Sequence, residues 1–149
     1  MILQNNQDME YLITEKRILG AFENFCIHSD EEYIKYKNFM DSYRPISFRK
    51  KQTKREELDA LVTDIRLLEK ESRLFLGEFE KVSNYYPVTD QFKREEEFCR
   101  DLCSKTYSWK EDCIEQQKIL EQQKIATRRA YIFAFICFLI AFLAHMNQG

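Results

Sequence analysis

From Ala130 to Ala144 the chain reads AYIFAFICFLIAFLA, fifteen residues without a charge or a strongly polar group. A helix through this block has no polar face to offer water, which argues against packing it on the surface of a soluble fold. At 1.5 Å rise per residue the block spans about 22 Å, against a hydrocarbon core of ~30 Å. Thr127 and Met146 extend the apolar stretch, and Arg128 and Arg129 can reach up to the headgroups. The pattern predicts a short transmembrane helix over 130–146, suited to a thinner bilayer such as the endoplasmic reticulum.

The flanks set the orientation. Lys124, Arg128 and Arg129 precede the apolar block and no Lys or Arg follows it. The positive-inside rule then places residues 1–129 in the cytosol and makes the protein single-pass. The opening MILQNNQDMEY lacks a basic segment followed by a long apolar run, so no secretory leader is expected. An apolar block at the C-terminal end implies insertion after synthesis, the tail-anchored arrangement. A mitochondrial outer-membrane anchor would be expected to carry basic residues after its helix. Their absence favours the endoplasmic reticulum or another secretory-pathway membrane.

The rest of the chain is rich in charge and poor in backbone breakers, with 32% charged residues, 3 Gly and 2 Pro. This leaves little for tight hairpins, Gly-rich phosphate loops or a doubly wound sheet. A net charge of −2 does not suit a general nucleic-acid binder. Aromatic and apolar content exceeds that of disordered chains, so most of the sequence should fold.

Leu58, Leu61, Ile65, Leu68, Ser72, Phe75, Phe79, Val82 and Tyr86 step by three and four throughout. This is a continuous helix seam, preceded by the capping-box pair Thr53 and Glu56. Val62, Leu67, Leu74 and Leu76 widen the stripe, which suits a helix inside a bundle. Asn84–Asp90 reads NYYPVTD, where Pro87 disfavours helix and Thr89 or Asp90 offers a new N-cap. A turn at 84–90 between two antiparallel helices is predicted. The second helix meets no Pro or Gly before the apolar block and should run on into it. Its own seam, from Phe92 through Cys99, Leu102, Thr106, Trp109 and Cys113 to Leu120, is weaker. The same stepping enters the apolar block as Ala130, Ala134, Cys137, Ala141 and Ala144, a face of small residues on which two helices can approach closely in lipid.

Upstream, Leu12, Leu19, Phe22 and Cys26 share a helical face, and Ser29 or Asp30 could cap a second short helix bearing Tyr33, Tyr36, Met40 and Tyr43. Arg44-Pro45 ends it. The organisation expected is a frayed N-terminus at 1–7, two short helices over 8–43, a basic loop at 44–55, a long coiled-coil-like hairpin over 53–129 and the anchor over 130–146. The fold class is all-α: a helical bundle built on a long antiparallel hairpin whose last helix continues into a single membrane span.

Arg44, Arg49, Lys50, Lys51, Lys54 and Arg55 form a basic island with no acid among them. Beside a membrane such a cluster could touch anionic headgroups, at about 1 kcal/mol per nearby Lys or Arg, or an acidic partner. A solvated loop is the plainer alternative. Of the five cysteines (Cys26, Cys99, Cys103, Cys113, Cys137), no C-x2-C pair or nearby His completes a zinc site, and a cytosolic setting keeps them reduced. They read as small packing residues. No catalytic set, phosphate loop or metal-binding helix motif is present, so no enzyme activity, metal or cofactor is expected.

The leading expectation is a non-enzymatic membrane protein whose helical region binds partner helices, as an adaptor, tether or assembly factor. Contact with the bilayer also follows from the anchor, and its small-residue face would allow a homodimer, the plainer alternative being that Ala is simply common in such helices. Heptads, then basic residues, then a C-terminal anchor resemble the general layout of SNARE proteins over the C-terminal half. That resemblance implies a role in vesicle fusion. In that family a long layered seam with a central Gln or Arg runs up to the anchor. Here the matching stretch crosses Pro87, and the seam from Phe92 onward holds Glu95, Gln116 and Gln123 without a distinct central layer.

Overall fold

The computed structural model describes residues 2–42 and 48–147, with side chains for all of these except 2–9, 11 and 48–53. The described residues form three α-helices and no strand: α1 (Ile2–Ser42), α2 (Phe48–Tyr85) and α3 (Asp90–Met146). The chain divides into two compact units, Met1–Cys113 and Ile114–Gly149.

The first unit has a core drawn from all three helices. α1 contributes Ile18, Phe22 and Phe25; α2 contributes Leu68, Phe79 and Val82; α3 contributes Phe92, Cys99 and Leu102. Aromatic rings link the helices in series. Phe22 meets Phe79 edge-on at 5.1 Å between centroids, and Phe79 meets Phe92 at 4.8 Å. Such pairs add about 0.5–1.5 kcal/mol each beyond the burial of their area. On α2 the core line is Leu58, Leu61, Ile65, Leu68, Ser72, Phe79 and Val82, all buried, with Phe75 partly buried and Tyr86 half exposed.

The break between α2 and α3 has a local cause. Pro87 cannot donate a backbone hydrogen bond, and α2 closes with Tyr86 N donating to Val82 O at 3.0 Å. Thr89 then starts α3: its Oγ1 accepts from Phe92 N at 3.2 Å, and its carbonyl accepts from Lys93 N at 3.1 Å. Asp90 adds a negative charge to the first turn, where the helix dipole favours it.

Three expectations about the N-terminal part are corrected. The two short helices expected over 8–43 are one helix, α1. Ser29 is not a cap but a buried residue on the core face, in step with Glu15, Ile18, Phe22, Phe25 and Glu32. The seam keeps its register through Ser29, and no Pro or Gly interrupts the chain between Gly20 and Pro45. Packing along the whole face therefore outweighs the local preference for a cap. The loop expected at 44–55 is helical from Phe48 onward, so Thr53 lies inside α2 and does not start it. Lys and Arg are good helix formers, and no breaker follows Pro45 in this stretch. The backbone is also helical from Ile2, within the stretch expected to fray.

Candidate functional site

The segment 130–146 lies in the second unit, at the end of α3, the one described helix long and apolar enough to cross a membrane. None of that apolar stretch is buried inside the protein. Tyr131, Phe133, Phe138 and Ile140 are each more than 60% exposed, and Phe138 stacks on Phe142 at 6.3 Å. Ten large apolar side chains between Tyr131 and Leu143 are exposed. Their transfer from water to hydrocarbon is favourable on the order of 20 kcal/mol, at about 1.5–3 kcal/mol each. Lys124, Arg128 and Arg129 are exposed just before this band. Thr127 Oγ1 donates to Gln123 O at 2.8 Å, which satisfies its hydroxyl within the helix. Ala130, Ala134, Cys137, Ala141 and Ala144 are exposed and share one helical face.

Of the basic island, Lys54 Nζ donates to Ser42 O at 2.7 Å, meeting a carbonyl at the last residue of α1. Arg55 is partly buried. Arg49, Lys50 and Lys51 lie on the first turns of α2, with side chains outside the described set, and Arg44 lies outside the described residues.

Several polar groups that a hydrophobic-stripe reading passes over hold the first unit together. Glu69 is buried between two cations: its Oε1 accepts from Arg73 Nη2 at 2.8 Å and its Oε2 from Lys110 Nζ at 2.7 Å. Ser72 Oγ donates to Glu69 O at 2.8 Å, which lets a hydroxyl occupy a core position. Glu15 on α1, also buried, accepts a hydrogen bond from Thr89 Oγ1 and so ties the residue that caps α3 to α1. Tyr36 donates to Asp112 Oδ2 at 2.6 Å, and Trp109 packs on Tyr33 and Tyr36 at 5.0 and 5.7 Å. Burial, and then the bond to Asp112, pushes the Tyr36 phenol well up.

Cys26, Cys99 and Cys113 are held as thiols. Burial, reinforced by the nearby Glu95, raises Cys26 to about 11, and burial with Asp112 raises Cys113 to about 11. Burial is also the main cause of the upward shift at Cys99, which donates to Ser72 O at 3.4 Å. A thiol shifted this way is a poor nucleophile and a poor metal ligand at neutral pH.

α1 also shows a second side. Ile13, Ile27 and Ile34 are exposed, and Leu12, placed by its spacing on the core face, is exposed as well. The seven-residue recurrence of Ile13, Gly20, Ile27 and Ile34 is the signal in the sequence that marks this face. Comparison with family models, curated proteins and solved structures finds no match.

Proposed function

We propose that this chain is a single-pass membrane protein without enzymatic activity, whose cytosolic helical region binds partner proteins as an adaptor, tether or assembly factor at the endoplasmic reticulum or another secretory-pathway membrane. The observation that carries the reading is the wholly uncovered apolar band of 130–146, preceded by Lys124, Arg128 and Arg129. The bilayer is the partner of that band, and the small-residue face from Ala130 to Ala144 is where two anchors would pack. Lys54, Arg55 and their basic neighbours would add contact with anionic lipid or an acidic partner.

The cytosolic region is read as a bundle on an antiparallel α2–α3 hairpin. Contacts of Glu69 with Lys110, Ser72 with Cys99, and Phe79 with Phe92 support this, since numbers rise along one helix as they fall along the other. A SNARE-like role in fusion has less support, because α2 stops at Tyr85 and α3 restarts at Asp90, where a zippering helix would have to continue.

Alkaline carbonate extraction of cell membranes tests the anchor, with the protein expected to stay in the pellet. A glycosylation-acceptor tag placed after Gly149 tests orientation and should become glycosylated. Release by carbonate would overturn the membrane reading. An unmodified tag on a carbonate-resistant protein would overturn the placement in the secretory pathway.

A further inference from the structure

The exposed face of α1 has a regular pattern of its own. Ile13, Gly20, Ile27 and Ile34 recur at intervals of seven, and Arg17, Asn24 and Glu31 fall between them, all exposed. The resulting steps of four and three over residues 13–34 are those of a heptad seam, on the side of the helix away from Ile18, Phe22 and Phe25. A Cβ built at Gly20 would meet nothing within 4 Å, so the backbone there is open to an approaching side chain. This face lies wholly within Met1–Cys113 and owes nothing to the membrane segment.

We propose that this face binds the same face of a second copy of the chain, the two α1 helices running antiparallel about a two-fold axis at Asn24. Charge identifies the occupant. Turned end for end about Asn24, the seam is complementary to itself. Ile13 meets the partner's Ile34, Arg17 meets the partner's Glu31, and Gly20 receives the partner's Ile27. Asn24 meets the partner's Asn24, where two amides can hydrogen-bond and fix the register. The flank agrees: Lys16 faces the partner's Asp30. A parallel pair would instead set Lys16 and Arg17 against their own copies, and Asp30 and Glu31 against theirs, so repulsion selects the antiparallel arrangement. The Glu31 side chain is 67% exposed, with His28 Nδ1 at 3.9 Å, and can reach the partner's Arg17. The seam covers about 33 Å of helix at 1.5 Å per residue, a modest contact.

Charge swapping in the full-length chain in mild detergent tests the proposal by analytical ultracentrifugation. The wild type is expected to dimerise at low micromolar concentration. Arg17→Glu and Glu31→Arg each create two like-charge contacts in a symmetric pair and should weaken the dimer at least about tenfold. The combined Arg17→Glu/Glu31→Arg chain should regain the wild-type affinity. The two single variants, mixed, should form a heterodimer, because every opposed pair is then of opposite sign. Recovery in these two samples cannot arise from unfolding or from pairing of the apolar helices. A monomeric wild type, a dimer indifferent to both single reversals, or a combined variant no tighter than the singles would each overturn it.

Discussion

Glu69 shows how much one residue can hold. It is 8% exposed, takes hydrogen bonds from Arg73 and Lys110, and lends its carbonyl to Ser72. Replacing it with Leu leaves the ammonium of Lys110, a side chain only 16% exposed, without its carboxylate. Glu69→Leu should destabilise the fold by about 2–4 kcal/mol in urea unfolding, and adding Lys110→Met should recover most of that loss. The raised thiols give a pH signature. Cys26 and Cys113 stand at about 11 in the fold, against 9.0 for an ordinary thiol. Below about pH 9 both states keep their protons and the full stability is present. As pH rises from there through the folded value, the unfolded chain ionises first and stability falls. Urea midpoints at pH 8.5 and 10.5 should differ less in a Cys26→Ala/Cys113→Ala variant than in the wild type.

At the scale of elements, two small features decide where helices stop and where they do not. Thr89 caps α3 and also donates to the buried Glu15. Thr89→Ala should cost about 1–2 kcal/mol, measured by thermal or urea unfolding, because it removes the cap and leaves Glu15 without that donor. Ser29 distinguishes a continuous α1 from two helices joined at a cap. Glycine costs only a few tenths of a kcal/mol at an N-cap but about 1 kcal/mol inside a helix. Ser29→Gly should therefore lower stability by about 1 kcal/mol or more, as befits a buried mid-helix site. The α2 stripe was legible in the sequence because eight of its nine positions from Leu58 to Tyr86 are apolar at regular spacing. The α1 core face was harder to read, because Glu15, Ser29 and Glu32 occupy buried positions on it while Ile13, Ile27 and Ile34 lie exposed opposite.

At the scale of the whole molecule, the question is what covers the apolar band of α3. Phe138 lies at the middle of 130–146, and a charge at the centre of a membrane helix costs about 2.5–3.5 kcal/mol. Phe138→Arg should shift a measurable share of the protein from the carbonate-resistant to the extractable fraction. Ala134→Leu with Ala141→Leu keeps the segment apolar but fills the small-residue face. It should leave carbonate resistance intact while weakening anchor association in a membrane two-hybrid assay.

The sequence alone determined the apolar band, the basic residues before it, the α2 seam and the interruption at Pro87. Each of these depends on local composition or spacing, which a linear chain displays directly. The continuity of α1 through Ser29, the burial of Glu15, Glu32 and Glu69, and the partners that make such burial tolerable were decided only by the tertiary structure. A carboxylate looks the same in sequence whether it faces water or a cation brought from 41 residues away, as Lys110 is to Glu69. The free energy that separates the two cases resides in that distant contact.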